Sequence, residues 1–126
     1  MEMAITDSLR QLAYAQAAAF VQTLDRRDPV ALQRDWALPP AVAEEIVEML
    51  DSYFEAKQAL SLAPLARAFV PGKGGRPAID MYATDAGPLG LECQLLADGK
   101  PGEAILHLEM SGHDGALRLH YHYLGS

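Results

Sequence analysis

Two hydrophobic periods divide the chain: about 3.6 residues in its first half and 2 towards its end. Leu9, Ala13, Ala17, Phe20 and Leu24 recur at spacings of four and three, which places them on one helical face. Ser8, with Gln11 three residues on, predicts a capping box at the start of that helix. The run Asp25-Arg26-Arg27-Asp28-Pro29 ends it. Asp28 as a cap and Pro29 at the first helical position predict a short second helix carrying Val30, Ala31 and Leu32. Trp36 and Leu38 read as a brief connector before Pro39-Pro40. From Pro40 a third helix aligns Val42, Ile46, Met49, Leu50 and Tyr53 in an apolar stripe. A second stripe on it carries Glu44, Glu48, Asp51 and Glu55, spaced four, three and four, with Glu45 close by. Ser61 predicts the cap of one more short helix reaching Phe69, with Pro64 tolerated in its first turn.

The segment from Val70 to Pro77 is rich in breakers and has no period, so it reads as a loop. Beyond it, Ile79, Met81 and Ala83 alternate with Asp80, Tyr82 and Thr84. Leu91, Cys93 and Leu95 form the next alternating run, then Ala104, Leu106, Leu108 and Met110, then Leu117, Leu119, Tyr121 and Tyr123. Turn residues separate the runs at Asp85–Pro88, Asp98–Gly102 and Gly112–Gly115. The pattern predicts an α+β fold, with N-terminal helices packed on the apolar face of a four-stranded antiparallel meander sheet. Leu91, Cys93, Leu95, Leu106, Leu108, Leu119 and Tyr121 are expected to be buried together against Phe20, Ile46 and Leu50. Four-residue loops would set Leu95 opposite Leu106 and Leu108 opposite Leu119. Glu92, Glu109 and Arg118 would then form one polar row, Gln94, His107 and His120 a second, and Leu96, Ile105 and His122 a third.

Length and composition sharpen this picture. At 126 residues the chain reads as a single domain, 1–126, with a helical part over 5–69, a loop over 70–77 and a sheet part over 78–124. Half of it is hydrophobic, which excludes a mostly disordered chain. Seventeen acids against ten Lys and Arg give a net charge of −7. That balance argues against nucleic-acid binding and against docking on an anionic membrane, both of which need clustered bases. The first residues carry no basic n-region of a secretory signal, and the apolar stretch Ala17 to Val21 is too short to span a bilayer. The single cysteine, Cys93, has no intramolecular partner and shares the parity of Leu91 and Leu95, so a buried, inert thiol in a cytoplasmic protein is expected.

The stretch Ala19-Phe20-Val21-Gln22-Thr23-Leu24-Asp25-Arg26-Arg27-Asp28-Pro29-Val30-Ala31-Leu32 resembles the opening of nuclear-transport-factor-like proteins, the cystatin-like cone and polyketide-cyclase-like group. The Gly-rich hairpins and the closing His120-Tyr121-His122-Tyr123 strand are similar to that group's curved antiparallel sheet. The resemblance implies the cone fold. It implies no single activity, because the superfamily holds small-molecule binders, isomerases, hydrolases and association domains. The long acidic helix from Pro40 departs from the pattern, and the family's catalytic Asp or His finds no matching position.

Two constellations carry candidate chemistry. The first is the acidic stripe Glu44, Glu48, Asp51 and Glu55. From Asp35 to Glu55 there are six acids and no Lys or Arg. Like charges at i, i+4 repel, and a basic protein partner would relieve the repulsion. This points to an interaction module like the immunity proteins that cover a basic toxin surface, ahead of an enzyme. The competing reading is a solvated helix face. The second constellation is polar. Asp80, Tyr82, His107 and His120 would line a pocket between sheet and helices in a small-molecule-binding or hydrolase/isomerase-type protein. His107, His120 and His122 lack the supporting groups that a zinc site needs, so neither a metal nor another cofactor is expected. A polar sheet face also suits a homodimer. The loop around Lys73 and Arg76 has neither the spacing nor the strand-loop-helix context of a phosphate-binding loop.

Overall fold

A computed structural model of the chain describes residues 5–72, 75–112 and 117–125. Lys73 and the turn residues His113, Asp114 and Gly115 lie outside that set. Helix α1 spans Asp7–Asp25. Its cap is Thr6 rather than Ser8: Thr6 is extended and its Oγ1 accepts from the Leu9 N–H at 3.2 Å. Ser8 falls inside the first turn, where it has no capping role. Helix α2 (Pro29–Trp36) begins as expected, with Asp28 Oδ1 accepting from the Val30 N–H at 2.9 Å. It runs further than expected. Trp36 is its last residue, and Ala37 ends it in the left-handed region at φ 54°. Helix α3 (Pro40–Tyr53) buries Ala43, Ile46 and Leu50 and half-buries Val42, Met49 and Tyr53.

Ser61 does not cap a helix. Leu60–Ser61 form a short strand, β1, and helix α4 follows at Leu65–Ala68 with Pro64 at its cap. Two carboxylates hold that stretch extended. Asp25 Oδ1 accepts from the Leu60 N–H at 2.8 Å, and Asp98 Oδ1 accepts from the Ala59 N–H at 2.9 Å. Strands β2 (Ile79–Ala83), β3 (Leu89–Ala97), β4 (Lys100–Ser111) and β5 (Arg118–Gly125) pair consecutively as an antiparallel meander. β1 adds beside the end of β3, making a sheet of five strands among the described residues.

Side-chain parity follows the alternation, but the register does not. Cys93, not Leu95, faces Leu106, and Tyr121, not Leu119, faces Leu108. Each hairpin is therefore shifted by two residues, which keeps the faces up to the bulge in β5 while changing the neighbours. The β3–β4 connection is a two-residue turn. Ala97 pairs Lys100, and Asp98 and Gly99 both take positive φ, at 51° and 79°. That is the type I′ geometry for which Asp-Gly is the local signature. An irregularity between Gln94 and Leu96 then offsets the rest of the ladder. In β5 a second one falls at His122, between the pairs Leu108–Tyr121 and His107–Tyr123. The bulge reverses the phase, so Leu124 turns into the core and Tyr123 turns out.

The core lies between the helices and one face of the sheet. Phe20, Leu24, Ile46, Leu50, Leu91, Cys93, Leu95, Leu106 and Leu108 are all essentially inaccessible. Leu119 and Tyr121 are half-buried against them. Burial raises the Cys93 thiol far above its ordinary pKa, so the sulfur is inert. Arg27 closes the helical end of this core from a left-handed turn at φ 52°. Its guanidinium donates to the Asp25 carbonyl (2.9 Å) and carboxylate (3.3 Å) and to the carbonyls of Glu55 (3.1 Å) and Gln58 (2.9 Å). One side chain thus ties the end of α1 to the turn after α3.

Candidate functional site

Every carboxylate of the expected stripe points to solvent: Glu44, Glu48, Asp51 and Glu55 are exposed, and so is Glu45. The reason is rotational. The buried set Ala43, Ile46 and Leu50 occupies one side of α3, and at 3.6 residues per turn Glu44, Glu48 and Asp51 fall on the other. Glu55 does not belong to that helical row: α3 ends at Tyr53 and the extended Phe54 separates Glu55 from it. Among the described residues no ion pair involves any of the five. α3 has no side-chain cap and no base in its last turn, so nothing local offsets the charge.

Asp80, Tyr82, His107 and His120 all lie on the sheet face turned away from the helices. Residue pairing sets them in two rows. Asp80, Glu92, His107 and Tyr123 make one, and Tyr82, Gly90, Glu109 and His120 the other. Tyr82 and His120 sit three strands apart, roughly 14 Å, so the four do not converge on one ligand. The space between sheet and helices is filled by core side chains instead. His107 and His120 are not opposed: His120 pairs Glu109, and its Nε2 stands 2.9 Å from Ser111 Oγ. Among the described residues no group of three His, Cys, Asp or Glu could hold a metal ion.

The open face has its own order. Arg76 donates to Glu92 Oε2 at 2.6 Å, and Glu92 Oε1 stands 3.5 Å from His107 Nδ1. The His107 ring stacks on Tyr123 with centroids 3.9 Å apart and planes within 13°. The Tyr82 ring lies over Gly90, where a Cβ would overlap it, so glycine is the residue that admits this cover. His122 Nδ1 meets Glu109 Oε1 at 3.0 Å. These contacts lace the strands together, and the hollow of about 240 Å³ beside Arg76, Glu92 and Gln94 is lined by none of Asp80, Tyr82, His107 and His120. Burial, the largest influence, lowers the His107 pKa, and Glu92 offsets this only in part. The unfolded chain, with an ordinary imidazole near about 6.5, therefore takes up this proton first. The stabilising effect of neutral His107 is complete above that value and is lost as the pH falls through the window below it. Urea midpoints measured from about pH 8 down to about pH 5.5 should fall more steeply for the wild type than for His107→Gln. Parallel curves would show that His107 does not contribute.

Sequence reasoning missed the ground between α3 and β5. Two open grooves, each of about 480 Å³, run along β5 and share Leu38 and Tyr121. The first is lined by Phe20, Trp36 and Leu119, with Asp35 and Arg118 at its rim; the second by Val42, Glu45 and Met49. Trp36 is held edge-on to Phe20 at 5.0 Å, and its Nε1–H donates to Thr23 Oγ1 at 3.0 Å. Burial, with the Glu45 carboxylate second, pushes the Tyr121 phenol up to about 12, which keeps it neutral. Among the described residues β5 forms the end of the sheet and pairs with β4 alone. No local signal marks this place, because it depends on which strand ends the sheet.

No protein-family model matches the chain, and neither a curated protein nor a solved structure shows significant similarity to it. Among the described residues no helix is long and apolar enough to cross a membrane.

Proposed function

We propose that the protein is a binding module that engages a basic protein partner through the acidic face of α3, in the manner of an immunity protein covering a basic surface. The observation that carries this reading is the exposed set of Glu44, Glu48 and Asp51 on α3, with Glu45 beside them and Glu55 just past the helix end, and no ion pair to any of them among the described residues. A basic surface would relieve the repulsion along the helix and be drawn to it over roughly a Debye length, about 8 Å at physiological salt. The filled interior and the spread-out polar residues of the sheet favour this over a small-molecule pocket. Helices followed by an antiparallel sheet are compatible with the cone fold, and we assign the chain to that architecture as part of the same proposal.

The test is charge reversal. A variant with Glu44→Lys, Glu48→Lys, Asp51→Lys and Glu55→Lys should stay folded, since exposed substitutions typically cost within about 0.5 kcal/mol each. Affinity capture from the native cell extract should recover a basic protein on the wild type and lose it on the variant. Equal recovery on both would assign the stripe to solubility alone.

A further inference from the structure

We propose that the edge of β5 from Arg118 to Tyr121 accepts an extended segment of the basic partner as an added β-strand, whose inward side chains settle in the groove against Phe20, Trp36 and Leu38. The inference rests on the reading of α3 as a partner surface and says how the partner docks.

Three features of the edge support it. β5 pairs with β4 on one side only, and apart from that ladder no hydrogen bond to its backbone from Arg118 to Tyr121 occurs among the described residues. Just before it, the Leu117 carbonyl is taken by Gln16 Nε2 at 2.8 Å, so the free stretch has a defined start. The bulge at His122 gives it an end, because an added strand cannot keep step across the extra residue. Between these limits β5 pairs regularly, Arg118 with Ser111 through Tyr121 with Leu108, as an added strand requires. Free strand edges are normally covered or blunted, and an extended peptide is the ligand whose main chain satisfies one.

The grooves define the side chains of that peptide. On the helix side of β5 the floor is apolar: Phe20, Trp36, Leu38 and Leu119. Alternate residues of an added strand point to that side, so these should be apolar. Glu45 lines the adjoining groove and stands about 60° round α3 from Glu48, which carries the acidic surface from the helix back to the strand edge. Within an added strand the residues alternating with the apolar ones point to the opposite face of the sheet, so the bases that meet Glu45 lie at the end of the segment that runs past Tyr121. The occupant is thus a segment whose paired part alternates Val or Leu with small polar residues such as Thr and whose ends carry Lys or Arg.

The probe is a synthetic octapeptide, Lys-Lys-Val-Thr-Val-Thr-Lys-Lys, with two further versions N-methylated at alternate residues of its central four, one at the Val and one at the Thr positions. In an added strand only every second N–H donates to the neighbouring chain. One N-methylated version should therefore bind at least about tenfold more weakly, and the other should bind like the parent. Hydrogen exchange should slow at β5 amides between Arg118 and Tyr121. Equal binding by both versions, or no binding of the parent at about 1 mM, would overturn strand addition. The four-lysine variant separates this from the underlying reading. Weakened parent binding there, with both methylated versions equal to the parent on the wild type, keeps the acidic docking surface and rejects the strand. Selective loss with one methylated version, and undiminished binding to the four-lysine variant, rejects the acidic surface and keeps the strand. If a second copy of the chain occupies the edge, light scattering shows a dimer that the peptide does not dissociate, and the assignment to a basic peptide fails.

Discussion

Leu108→Ala lowers the unfolding free energy by about 2–5 kcal/mol, the usual range for a fully enclosed leucine. Leu108 is 1% exposed and sits in β4, with β3 on one side and β5 on the other, facing the helices. Its neighbours across the strands are Leu91 and Tyr121. Both are anchored, Leu91 by its own complete burial and Tyr121 against Phe20 at 6.1 Å between ring centroids. Neither can collapse far into the space left by the lost side chain, so the cavity persists and the cost falls towards the upper part of that range. Chemical denaturation checks it through the midpoint at unchanged slope. A loss below about 1 kcal/mol would place Leu108 outside the core.

Arg27→Ala should cost about 2–4 kcal/mol. The guanidinium joins three carbonyls and the Asp25 carboxylate, and its side chain is only 13% exposed. Removing it takes the side-chain donor from the Gln58 carbonyl, leaves the Glu55 carbonyl with the Gln58 N–H alone, and frees the turn after α3 from α1. Asp25, 42% exposed, can rehydrate, which keeps the cost below that of a fully buried pair. Arg27→Lys keeps the charge but not the fork, and should recover at most part of the loss. Arg27 stands at φ 52°, so Arg27→Gly should be less harmful than Arg27→Ala by about 1 kcal/mol. If Arg27→Ala unfolds like the wild type, the tie between α1 and the turn after α3 carries no energy.

Different parts of this molecule were legible in the sequence to different depths, for physical reasons. Which residues face the core could be read from alternation, because one face of each strand is buried and a one-residue slip would expose it. Register could not be read from alternation, because a two-residue slip leaves parity intact. The Asp98-Gly99 turn held the missing information for β3–β4, since both residues adopt the positive φ for which that dipeptide is selected. Reading Asp98 to Gly102 as one loop concealed it. The bulge at His122 left no mark: Tyr121 and Tyr123 keep the alternation in sequence while facing opposite ways in space. Ser61 reads as a helix cap by residue type. The carboxylates of Asp25 and Asp98, which hold the neighbouring backbone extended, come from 35 and 39 residues away.

The candidate site divides in the same way. The row Glu44, Glu48 and Asp51 was visible because helical spacing is local, and these carboxylates are exposed as that spacing predicts; Glu55 is exposed too, but the helix stops at Tyr53, before it. Asp80, Tyr82, His107 and His120 share a face, as parity requires, but their grouping depended on register and on which side the helices cover. The β5 edge and its grooves needed the strand order and the path of α2 into α3 through Ala37.

The most direct measurement is the association rate of the captured basic partner with the wild type and with the four-lysine variant, followed as salt rises from about 50 mM to about 500 mM. The account predicts a wild-type on-rate that is fast at low salt and falls by an order of magnitude or more across that range, while the variant is slow throughout and nearly indifferent to salt. Equal on-rates with the same salt dependence for the two proteins would contradict it.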